Sequence, residues 1–191
     1  MHAAYGADTT GVGCFDYCVS SYTPTITALL NVHRNLQTAT TTATTTTTTT
    51  ALLVAEHKSP NLSLLGNTRK EVAIASALLS SMNPVAIGVN ESITGGATIQ
   101  VVVDKLPQAA IFHLACHGEQ DLKDPLNSGF GLCDGCLTVA MLMKLNLKNA
   151  LFTYLSACET AKGDSNQPDQ SVHLTATMLF VGFCSVVATM W

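Results

Sequence analysis

Two apolar runs limit the folds open to this chain more than anything else in it. His113-Leu-Ala-Cys-His117-Gly118 closes one, and Leu155-Ser-Ala-Cys158-Glu159-Thr160 closes the other. Residues 109–116 and 150–157 are short and almost uniformly apolar, as strands of a parallel sheet buried on both faces are. Parallel neighbours need a crossover between them, and the apolar run 137–147 offers a helical one. In an open α/β sheet, ligands bind outside the carboxyl ends of the strands. A histidine and a cysteine are thereby expected at one sheet edge, the layout of a Cys/His hydrolase.

The same α/β rhythm runs along the rest of the chain. Residues 15–21 suit a strand, and Thr23-Pro24-Thr25 starts a helix over 26–36 with proline near its first turn. Residues 38–50 are threonine except Ala39 and Ala43. With no apolar face to bury, they are expected to form a flexible loop insertion, although β-branched threonine also suits a strand extension. Ala51-Leu-Leu-Val-Ala55 has the composition of a central parallel strand. A helix is expected over 67–81, with Asn67 or Thr68 as N-cap and Glu71 in its first turn, followed by a weak strand over 85–89. Thr98 caps a further helix through Val102 to Leu106, which Pro107 ends.

With 47% hydrophobic and 12% charged residues, 191 residues can bury one sizeable core, so a single domain is expected. A net charge of -4 and the lack of any Lys/Arg cluster argue against nucleic acid as a partner. The first ten residues contain neither a basic nor an apolar signal region, so a cytoplasmic location is expected, and seven scattered cysteines suit reduced thiols. Residues 171–191 contain no Asp, Glu, Lys or Arg and are about long enough to span a bilayer. Thr175, Thr177, Ser185, Thr189 and a central Gly182 instead favour a helix, a glycine turn and a buried strand over 185–190, with no membrane contact.

Several residues invite other chemistry. His113 and His117 have the four-residue spacing of a helical zinc pair, but the zincin glutamate is missing. On a strand they would stand roughly 13 Å apart, too far to share a metal. Cys133-Asp-Gly-Cys136 has zinc-knuckle spacing without a second pair, and Asp134-Gly135 is more simply a turn before the crossover helix. No metal or cofactor is expected. Cys116 should face the side of the sheet opposite His117, Cys184 should be core, and Ser156 lacks the glycine framing of a nucleophile elbow. Glu159 and Asp164 suit a solvated loop, where they could also meet a basic substrate residue.

Taken in order, Ser20-Ser-Tyr-Thr-Pro-Thr25, Ala97-Thr98, His113 to Gly118, Leu137-Thr138, Leu155 to Thr160 and Gly182-Phe-Cys-Ser-Val-Val-Ala-Thr-Met-Trp191 resemble the CHAT domain. CHAT domains are caspase-like peptidase domains, related to caspases and separases and often attached to tetratricopeptide repeats. The resemblance implies an α/β, caspase-like fold over residues 1–191, with a mostly parallel central sheet flanked by helices on both faces and 38–50 inserted as a loop. It implies His117 as the catalytic histidine, Cys158 as the nucleophile, and the backbone N–H groups of Gly118 and Cys158 as the oxyanion hole. It also implies a protein or peptide substrate and an attached or associated regulatory repeat domain. The family continues past the position of Trp191 and commonly has an acidic residue where Gln170 follows Asp169, so a domain incomplete at its C-terminal end is expected. Two alternatives stand beside the peptidase: a catalytically inactive interaction domain of the same fold, and a zinc-stabilised binding module built on Cys133 and Cys136.

Overall fold

A computed structural model describes residues 50–89, 96–121, 123–157 and 174–189, together with residues 23, 25–27, 29 and 30. Its framework is a five-stranded, wholly parallel sheet of β1 (Thr50–Ala55), β2 (Val85–Ile87), β3 (Ala109–Ala115), β7 (Phe152–Ser156) and β8 (Ser185–Ala188), in the order β2-β1-β3-β7-β8. The chain between β3 and β7 forms a second, antiparallel sheet of β4 (His117–Glu119), β5 (Gly129–Leu132) and β6 (Gly135–Thr138).

Crossover handedness distributes the helices. The connection through α1 (Thr68–Leu78) runs from β1 outward to β2, and that through α2 (Ile99–Lys105) returns past β1 to β3. Right-handed connections in opposite directions put the two helices on opposite faces. Accordingly Val72 of α1 packs on Ala51, Leu53, Ala55 and Ala115. Val102 of α2, Leu142 of α3 (Val139–Leu142) and Leu174 and Met178 of α4 (Leu174–Phe180) join Leu52, Val54, Phe112, Leu114 and Leu155 in a larger core on the other face. Strand alternation alone divides β1 and β3 between the two layers.

Local chemistry accounts for the helix starts. Thr98, with extended backbone, accepts a hydrogen bond from Val101 N–H at 3.4 Å and so caps α2, and Leu106-Pro-Gln108 finishes it as a 3₁₀ turn. Asn67 precedes α1 but makes no side-chain cap, and Glu71 lies in the first turn. Gly182, at φ +127, lets the chain turn from α4 into β8 against the Leu147 carbonyl. The helix, turn and strand order expected for the charge-free end is therefore present.

Five expectations need correction. Residues 137–147 do not form the crossover helix, because Leu137 pairs with Phe130 across the β5–β6 hairpin and both are fully buried. Strand pairing overrides the helical spacing there, and only the single turn of α3 follows, capped by Thr138. Asp134 belongs to the two-residue turn between β5 and β6, not to a turn before a helix. Strand β8 lies at the end of the sheet with Ser185 and Val187 exposed, and Cys184 is half-buried instead of core. Thr50 belongs to β1, where it pairs with Ala109, because threonine joins a strand readily; residues 38–49 lie outside the described residues. Of the expected early helix, residues 26, 27, 29 and 30 are helical, while the strand over 15–21 also falls outside the described residues.

Candidate active site

The carboxyl edge of the sheet is where β1, β3 and β7 release their chains side by side. Ala115 is registered on Ser156, and the pairing continues one step further through Cys116 N–H donating to the Ser156 carbonyl at 3.3 Å. On the other side Glu56 N–H donates to the Ala115 carbonyl at 2.9 Å. The order of the strands reverses between β1 and β3, so this edge is also the switch point at which open α/β sheets bind ligands. A recess of about 290 Å³ opens there, lined by Gly66, Thr68 and Glu71 at the start of α1, by Cys116, and by Ser156 and Ala157 at the end of β7.

As the sequence suggests, His117 lies just past the end of β3. The chain leaves the sheet at Cys116, and His117 opens β4, opposite Gly131, with Gly118 opposite Phe130. The half-buried imidazole donates from Nε2 to the Ser63 carbonyl at 2.7 Å. That bond orients the ring and assigns the lone pair to Nδ1, the arrangement in which a third group holds a catalytic base. Because the acceptor is a backbone carbonyl in the loop before α1, no side chain in the sequence could announce it. Cys158, whose N–H was also expected in the oxyanion hole, lies outside the described residues, as do Glu159, Asp164, Asp169 and Gln170. Cys116 packs in the larger core with Phe112 and Leu114, on the face opposite Ala115, as alternation requires.

A second set of polar groups converges on the same edge. Glu71 Oε1 accepts from His113 Nε2 at 2.9 Å, and Glu71 Oε2 accepts from Ser156 Oγ at 3.1 Å. His113 is 6% exposed, with its ring edge-on to Tyr154 at 5.0 Å. Glu71 is legible from sequence only as a favourable first-turn acid, and His113 only as half of a rejected metal pair. Nearby, the buried Glu56 carboxylate accepts from the N–H groups of Lys58 and Ala97 at 2.9 and 3.1 Å, which ties the end of β1 to the start of α2. Thr189 Oγ1 donates to the Ala157 carbonyl, so the chain leaving β7 is held from the β8 side as well.

Cys133 and Cys136 are unbridged. Burial pushes the Cys136 thiol up to about 11, with the Glu119 carboxylate adding to the effect. Burial raises Cys133 too, helped by Glu56 and Asp134. Both thiols are thus biased toward their protonated form. Among the described residues no group of three or more His, Cys, Asp or Glu side chains is arranged to hold a metal ion. No helix among them is long and apolar enough to cross a membrane.

A doubly wound parallel sheet with helices on both faces and a histidine held at its carboxyl edge defines an α/β fold of the caspase-like class. Comparison with family models is specific on this point: the CHAT domain matches residues 5–191. The chain belongs to the CHAT domain family, which is related to caspase-like peptidases. No curated protein matches the chain.

Proposed function

We propose that this chain is the peptidase domain of a cysteine endopeptidase, with Cys158 as nucleophile, His117 as general acid and base, and the N–H groups of Gly118 and Cys158 as the oxyanion hole. The observation that carries the proposal is the His117 imidazole, fixed by the Ser63 carbonyl at 2.7 Å beside the edge where β7 leads toward Cys158. His117 lies two residues past Ala115, and Cys158 two residues past its register partner Ser156. Ala115 and Ser156 thus end adjacent strands in register, each two residues before one of the two proposed catalytic residues.

The chemistry follows from those roles. The Cys158 thiol gives its proton to His117 and the sulfur attacks the peptide carbonyl; two N–H donors stabilise the resulting oxyanion, one such donor being worth about 3 kcal/mol. His117 then returns the proton to the departing amine as the C–N bond breaks, and water hydrolyses the thioester. The substrate is a protein or peptide in the cytoplasm, and an attached or associated repeat module regulates access.

Labelling with a set of peptide acyloxymethyl ketones tests the proposal. Cys158→Ala should abolish labelling, and His117→Ala should slow it by about a hundredfold while lowering the unfolding midpoint by no more than about 4 °C. Failure of the folded chain to label would favour the inactive interaction domain, and equal rates with and without His117 would end the dyad.

A further inference from the structure

Beyond the peptidase proposal, and resting on it, we infer that Glu71 is a positioning residue, one that clamps the exit of β7 to β3 and so sets the backbone that leads to the nucleophile. The clamp joins three elements through one carboxylate: Glu71 from α1, His113 from β3 at 2.9 Å and Ser156 from β7 at 3.1 Å. Its anchor is rigid, because His113 is buried and braced by the edge-on Tyr154 ring. Its load is Ser156, the last residue of β7, two positions before Cys158.

The need for such a clamp is physical. Element termini fray where backbone hydrogen bonds are all that holds them. A nucleophile tolerates displacements of only about 0.5 Å, and 1 Å can cost about a hundredfold in rate. Apolar side chains would fill the His113 and Ser156 positions without any polar group to satisfy, as Leu114 and Leu155 do on the other face. Three polar groups that satisfy one another instead specify a single arrangement of the two strands. Thr189, bonded to the Ala157 carbonyl, completes the hold from the opposite side of β7.

The test uses the whole chain, with the same acyloxymethyl ketones and with hydrogen exchange read over residues 157–160. Glu71→Leu and Ser156→Ala should each slow labelling at saturating probe about tenfold while leaving the half-saturating concentration within about twofold. Their double variant should be no slower than the slower single one, since both break the same bond. Ser156→Thr, which keeps the hydroxyl, should restore the rate. Exchange over 157–160 should quicken in Ser156→Ala while β3 stays protected. Unchanged labelling in both single variants, or losses that multiply to about a hundredfold in the double variant, would overturn the clamp. If Cys158 does not label in the unmodified chain, the peptidase proposal fails by itself and exchange decides the clamp: faster exchange over 157–160 in Ser156→Ala supports it, and unchanged exchange overturns it.

Discussion

Gly88→Ala should destabilise the protein severely for its size, and the structure supplies the magnitude. Gly88 follows β2 at φ +77, and a Cβ built there would lie 1.9 Å from the Ala55 carbonyl oxygen. Ordinary contact begins at 3.4 Å, so the two backbones must separate by about 1.5 Å, and neither is the end of a flexible side chain. Left-handed backbone costs a residue with a Cβ about 1–2 kcal/mol, and overpacking a tight site costs about 1–3 kcal/mol more. A loss of about 3 kcal/mol is expected, which for this chain length lowers the thermal midpoint by roughly 6–12 °C. Because Ala55 precedes Glu56, the shift should also loosen the Glu56 bond to Ala97 N–H. Thermal and urea unfolding measure the effect, with Gly66→Ala as internal control: a Cβ on Gly66 meets nothing within 4 Å, so its stability should stay within about 0.5 kcal/mol. A Gly88→Ala midpoint within about 2 °C of the parent would refute the steric argument.

Phe112→Ala should cost about 3–5 kcal/mol with an unchanged urea m-value, because the ring is fully buried in the larger core and stacks on Phe183 at a centroid distance of 6.2 Å; a loss below about 1 kcal/mol would mean that the core relaxes into the space. Stability should fall as pH rises from about 9 toward 11, because Cys136, whose thiol is pushed up to about 11, keeps its proton in the folded state while the unfolded chain releases it. Urea midpoints at successive pH values check this, and Cys136→Ala should flatten the decline; a slope identical in that variant would assign the effect elsewhere.

Elements whose signals are local were legible in the chain, while those that depend on a distant partner were not. Thr98 announced its helix through a cap that closes within three residues, and the β1 and β3 runs announced strands by apolar composition. Leu137 misled for a related reason: its spacing with Ala140 and Met141 is helical, yet its pairing with Phe130 decided the outcome. His117 was legible as a candidate placed just past a strand end, but its orientation rests on a carbonyl 54 positions away along the chain. Glu71 and Ser156, 85 positions apart, carry no mutual signal at all.

By itself, then, the order of amino acids determined that alternating strands and helices would form and that a histidine and a cysteine would follow two of the strands, since hydrophobic period and capping act over a few residues. Tertiary structure alone decided that β3 and β7 lie side by side with Ala115 on Ser156, that β4, β5 and β6 form a separate antiparallel sheet, and that one carboxylate joins α1 to both strands. Those choices follow from which strand becomes whose neighbour, and packing of the whole core makes that choice.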